Sequence, residues 1–105
     1  MDPILRENAF LGETHIVTGA AQGFGQGIAQ RFAEEGARVV VADIQADKAA
    51  GVADAINARF QGAARAAGGD VAKAGDVQGL VDTALDAFGG LDIVVHNTGG
   101  PKSGP

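Results

Sequence analysis

The chain has 105 residues, 46% of them hydrophobic, enough for one compact domain with a modest core. Its formal net charge is -5, and its lysines and arginines form no stripe able to track a phosphate backbone, so nucleic acid is excluded as the expected partner. With no cysteine there is neither a disulfide framework nor a thiolate metal site, and no apolar run reaches the ~20 residues of a membrane span, so neither a metal nor a membrane partner is expected.

Residues 1–13 carry charges at Asp2, Arg6 and Glu7 and no long apolar run, so they are taken as an N-terminal leader and not a signal peptide, with a cytoplasmic setting expected. The first β-branched run is Ile16-Val17-Thr18, a predicted strand in which His15 is expected to be a packing residue. A glycine-rich turn follows. Ile28, Ala29, Phe32 and Ala33 then share one face of a predicted helix that Gly36 stops. Val39-Val40-Val41 is the second strand and ends in Ala42-Asp43. An alanine-rich helix is expected over about 47–59, with Val52 and Ile56 at i, i+4. Ala63 to Ala67 is a weak third strand, because alanine and glycine are poor strand formers. Val77, Leu80, Val81, Ala84, Leu85 and Phe88 form a wide helical stripe ended by Gly89-Gly90, and Ile93-Val94-Val95 is the fourth strand.

The order is β-α-β-α-β-α-β. The strands are continuous apolar runs without alternation, as expected where helices cover both faces of a parallel sheet. The predicted fold is therefore α/β, a Rossmann-like doubly wound parallel sheet that stops after the fourth strand. Residues 1–105 would form a single partial dinucleotide-binding domain, with 98–105 a loop cut short.

The turn reads Thr18-Gly19-Ala20-Ala21-Gln22-Gly23-Phe24-Gly25, between the first strand and the first helix. The free N–H groups and the dipole of a helix N-terminus favour an anion there, most simply a pyrophosphate. Glycines allow positive φ and close approach of a ligand. The spacing is T-G-x-x-x-G-x-G; it is not G-x-G-x-x-G, and no Lys followed by Ser or Thr closes it as in a P-loop. Gly27 lies early in the helix, where glycine costs about 1 kcal/mol against alanine, and close packing on the first strand is the expected reason. Asp43 lies 18 positions beyond Gly25, where a carboxylate can accept both ribose hydroxyls of an adenosine and repel a 2′-phosphate. Neither Gln22 nor Ile44 offers a cation for that phosphate, so NAD(H) is expected over NADP(H). A solvated aspartate at a strand end is the other reading of Asp43. For Asp70, which follows the third strand, the other reading is an N-cap for the next helix.

These motifs, in this order, resemble those of the short-chain dehydrogenases/reductases, and the resemblance runs from about Phe10 to Pro105. It implies that Gly19, Gly23 and Gly25 form the cofactor turn, with Gln22 and Phe24 lining it; the family more often has Ile or Leu where Phe24 stands. It implies that Asp43 and Ile44 serve the adenosine, that Asp70 hydrogen-bonds the adenine and that Val71 packs beside it. His96-Asn97-Thr98-Gly99 stands where the family usually reads N-N-A-G. Asn97 and Gly99 match and would lie near the nicotinamide ribose, with Asn97 tying strands together; His96 and Thr98 depart. Imidazole titrates near neutrality and could act as a base, but His96 has no nucleophile or carboxylate partner in sequence and is taken as structural.

The resemblance further implies a parent enzyme, a homo-tetramer or dimer, that transfers hydride between NAD(H) and a secondary alcohol or ketone. The tail Asn97-Thr98-Gly99-Gly100-Pro101 is similar to 3-oxoacyl-carrier-protein reductases and sugar or polyol dehydrogenases. In the family a tyrosine is the acid/base, a lysine lowers its pKa and a serine orients the carbonyl. This chain has no tyrosine, and its one serine, Ser103, precedes no Y-x-x-x-K, so no catalytic residue is expected in it. Alone it is expected to be inactive, marginally stable and prone to associate through the open edge of its fourth strand. The alternatives are an NAD(H)-sensing regulatory module without catalysis and an S-adenosylmethionine methyltransferase. The latter usually has more tightly spaced glycines after an acid, whereas Thr18 opens this loop.

Overall fold

The computed structural model describes residues 10–97. Its elements are β1 (Thr14–Val17), α1 (Gly23–Glu34), β2 (Arg38–Asp43), α2 (Ala46–Arg59), β3 (Ala64–Gly68), α3 (Ala74–Phe88) and β4 (Ile93–Val95). All strand pairs are parallel, in the order β3-β2-β1-β4. The chain winds outward from β1 to β3, then returns across the sheet to β4, which is the doubly wound arrangement. Among the described residues no helix is long and apolar enough to cross a membrane.

β2 shows why its apolar run does not alternate. Val39 and Val41 face the side covered by α1 and α2, with Ala29, Ala33, Val52 and Ile56. Val40 and Ala42 face the other side, with Leu80 and Ala84 of α3. Every one of these four β2 side chains is at most 1% exposed. Full burial of each valine contributes roughly 1.5–3 kcal/mol, so a polar residue at either parity would be costly. On α1, Ala29 and Ala33 turn small side chains to the sheet and let the helix lie close.

β1 begins earlier than its β-branched run suggests, at Thr14, and Thr18 leaves the strand. His15 is fully buried in it, with ring centroids 5.0 Å from Phe10 and 4.2 Å from Phe32 in edge-to-face contact. Its Nε2 sits 2.8 Å from Glu13 Oε1.

β3 forms despite its poor residues because a partner strand is already in place. Its five residues pair in register from Val39↔Ala64 to Asp43↔Gly68. The Asn57 side chain brackets its start, donating from Nδ2 to the Ala64 carbonyl (3.0 Å) and accepting the Ala64 N–H at Oδ1 (2.8 Å). Tertiary pairing here outweighs local propensity.

One expectation is corrected. Gly27 does not pack on β1: it is exposed, and a Cβ built there meets nothing within 4 Å. The glycine that approaches other backbone closely is Gly25.

Candidate functional site

The carboxyl ends of the four strands bring Gly19, Asp43, Asp70 and Asn97 to one edge of the sheet. In open α/β sheets this edge is where ligands bind, at the point where the strand order reverses. Here that reversal lies between β1, which α1 leaves, and β4.

The glycine turn is pinned from three sides. Thr18 N–H donates to the Val95 carbonyl (3.0 Å), Ala20 N–H to the Ala42 carbonyl (2.9 Å), and Ala21 N–H to Asp43 Oδ2 (3.0 Å). Gly19 and Gly23 have φ of 61° and 62°, a region that side chains other than glycine's rarely adopt. Gly25 is buried; a Cβ there would collide with the Gly19 carbonyl oxygen and lie 2.7 Å from Asn97 Nδ2. The two kinds of glycine in the turn thus have different physical reasons.

At the mouth of α1 the N-cap residue Gln22 makes no side-chain cap bond, and the first turn holds no acid. The N-caps of α2 and α3 make no side-chain bond either, but those helices carry an acid in the first turn, Asp47 in α2 and Asp76 in α3. Negative charge is favoured near a helix N-terminus, so only α1 leaves that place to something other than its own side chains. Gln22 and Phe24 flank the mouth, both exposed, Phe24 at 87%.

Asp43 is not a solvated strand end. It is 8% exposed, and its carboxylate accepts two backbone N–H groups, Ala21 at Oδ2 and Gln45 at Oδ1 (2.8 Å). Each carboxylate oxygen has two lone-pair positions, of which these N–H groups take one apiece. Ile44 beside it is 67% exposed.

Asp70 is not the N-cap of α3. That position is held by Lys73, which makes no side-chain cap bond. Asp70 closes the preceding loop instead: Oδ1 accepts the Ala72 N–H (2.9 Å) and its own N–H donates to Asp76 Oδ2 (3.0 Å). Val71 is partly buried against the α3-side core.

Asn97 donates from Nδ2 to the Gly19 carbonyl (3.1 Å) and so joins the end of β4 to the turn after β1. Its partner in this task is Thr18, a bond that spacing along the chain does not reveal. The Thr18 hydroxyl accepts the Asn97 N–H (2.9 Å) and lies within donating distance of the Asn97 (3.1 Å) and Val95 (3.3 Å) carbonyls. A threonine at the exact end of a central strand is the one local sign of such a strap. Gly99 lies outside the described residues, as do 1–9 of the leader and the loop 98–105. His96 is exposed, and among the described residues its ring has no hydrogen-bond partner. It borders a small apolar hollow of about 130 Å³ with Val71, Leu80 and Val94 on the α3 side.

A model of the short chain dehydrogenase family matches residues 13–105. The chain belongs to the short-chain dehydrogenase family. It is 40% identical over 97 residues to a glucose 1-dehydrogenase of Gluconobacter oxydans, covering 92% of this chain and 36% of that protein. It is 38% identical over 95 residues to a 3beta-hydroxysteroid dehydrogenase 2 of Eggerthella lenta, covering 90% of this chain and 36% of that one. The crystal structure of a hydroxysteroid dehydrogenase from Escherichia coli superposes with a TM-score of 0.80 at 42% identity, over 86% of this chain and 38% of that chain. The chain thus spans little more than a third of the length of these family members. The matches are to oxidoreductases, and they give no support to the methyltransferase or the regulatory-module alternative.

Proposed function

We propose that this chain binds NAD(H) as the cofactor-binding part of a dehydrogenase that exchanges hydride with a secondary alcohol or ketone. The observation that carries the reading is the mouth of α1, uncapped and free of acid, above a glycine turn whose far side is held by Asp43. In this reading the pyrophosphate lies against the first-turn N–H groups of Gly23, Phe24 and Gly25, with Gly19 giving the backbone room to approach. The adenosine ribose hydroxyls donate to the remaining lone pairs of Asp43, Ile44 and Val71 border the adenine, and Asp70 bonds its edge. Gln22 and Phe24 line the turn, and Asn97 and Gly99 stand near the nicotinamide ribose.

The bound nicotinamide would supply the hydride. The residues of this chain orient the cofactor and exclude a 2′-phosphate by charge, hence NAD(H) over NADP(H). They supply no phenol to move the accompanying proton, because the chain has no tyrosine, so the chain alone is inactive in this reading. The relatives' names span a sugar and a steroid, so the substrate is defined no more finely than a secondary alcohol or ketone. A cytoplasmic setting belongs to the same proposal, as does a homo-oligomeric parent, which rests on the family resemblance.

Titration of the chain with NADH and NADPH, followed by nicotinamide fluorescence, tests this. Saturable binding of NADH, tighter than that of NADPH, is expected. Equal affinities would remove the role given to Asp43, and no binding of either would remove the site.

A further inference from the structure

At the opposite end of the strands from the glycine turn lies an open cleft of about 710 Å³, within the ~300–1,000 Å³ range of small-ligand sites. Arg38, Arg65, Phe60, Phe88, Asn57 and Glu34 are among its walls. Two arginines meet there for a reason that only the pairing of β2 and β3 reveals. Arg38 has the parity of Val40, whose side chain faces α3, and Arg65 is the register partner of Val40. Both guanidinium stems therefore leave the same face of the sheet, from neighbouring strands, with Cα atoms roughly 8 Å apart by strand spacing and rise. Arg38 lies over the Phe88 ring, 5.9 Å from its centroid.

Two of the neighbouring polar groups are already engaged. Glu34 is held by Arg59 at 3.2 Å and Arg31 at 3.9 Å, and Asn57 spends its amide on Ala64. Among the described residues neither Arg38 nor Arg65 has a carboxylate within ion-pair distance. The carboxyl end of α3 has no basic residue in its last turn, and Arg38 lies beside its last residue, Phe88. In a chain of net charge -5, two arginines on one sheet face with no carboxylate partner among the described residues, one of them over an aromatic ring, are a cationic exception.

We propose that this cleft is a second binding site, for a small multivalent oxyanion (phosphate or carboxylate), gripped by Arg38 and Arg65. Guanidinium forks match the planar or tetrahedral oxygens of such groups and are weakly hydrated, so part of the binding free energy survives desolvation. The site is separate from the proposed cofactor site, which lies at the other end of the strands.

The test is a titration of the ¹⁵N-labelled chain with pyrophosphate and, separately, succinate at constant ionic strength, followed by amide shifts. Saturating shifts at Arg38, Ala64, Arg65 and Phe88, with Kd on the order of 1 mM, are expected. Arg65→Gln and Arg38→Gln should each weaken binding about tenfold, with Arg65→Lys intermediate because it keeps the charge and loses the fork. Saturation by pyrophosphate alone assigns a phosphate ligand, and saturation by succinate alone a dicarboxylate. NADH affinity should be the same in Arg65→Gln as in the parent chain. Shifts confined to Gly19–Gly25, shifts that never saturate, or unchanged affinity in both glutamine variants would overturn the proposal.

Discussion

Asp43 accepts the N–H of Ala21 at 3.0 Å, so the acid that ends β2 also anchors the turn that follows β1. With its other oxygen on Gln45, this one carboxylate ties the glycine turn, the strand end and the approach to α2 together. A group expected to hold a ligand is thereby also a structural clamp, and experiments on it must separate the two.

Asp43→Ala should therefore lower stability even without cofactor. Two N–H groups lose their acceptor, and the buried one, on Ala21, costs about 1–3 kcal/mol when left unsatisfied. Urea unfolding without ligand measures this, and a variant within about 0.5 kcal/mol of the parent would show that the clamp contributes little to folding.

Ile44→Arg leaves the clamp intact and adds a cation at a residue that is 67% exposed. The NADPH to NADH affinity ratio should rise about tenfold, since an arginine can grip a 2′-phosphate with its fork. Unfolding should be unaffected. A ratio that stays put would place the 2′ position away from residue 44.

Gly25 and Gly27 should respond oppositely to alanine. At Gly25 the new methyl would strike the Gly19 carbonyl and crowd Asn97, so Gly25→Ala should cost about 1–3 kcal/mol and weaken NADH binding. At Gly27 the methyl enters open space in a helix, so Gly27→Ala should stabilise the chain by about 0.5–1 kcal/mol. Thermal unfolding of both variants distinguishes them, and a loss at Gly27 would point to a contact absent from this structure.

On the α3 side Val77, Leu85 and Val94 are 39%, 48% and 55% exposed, and among the described residues no strand pairs with the outer edge of β4. Apolar surface beside an open strand edge favours self-association. Sedimentation velocity of the isolated chain should show concentration-dependent association, which Val94→Lys reduces. A monomer at every concentration in the parent chain would contradict this.

Much of the fold could be read in the chain because each signal is local. Three β-branched runs, two apolar stripes at helical spacing and the glycine stops specify what each segment does with its immediate neighbours. The unbroken apolar character of Val39 to Ala42 even reports that both faces of β2 are covered. The glycine turn was legible for the same reason, its residues lying within eight positions. β3 was legible only weakly, since what makes Ala64–Gly68 a strand is the edge of β2 beside it.

What the tertiary structure alone decided are the bonds between groups far apart in sequence. Whether Asp43 is solvated or clamped depends on Ala21 arriving 22 positions away, and the strap from Thr18 to Asn97 closes over 79. The pairing of Arg38 with Arg65 on one face follows from the register of two strands. Spacing along a chain specifies which face a side chain takes; only folding determines what stands opposite it, and hydrogen bonds and charges act over a few ångströms of space.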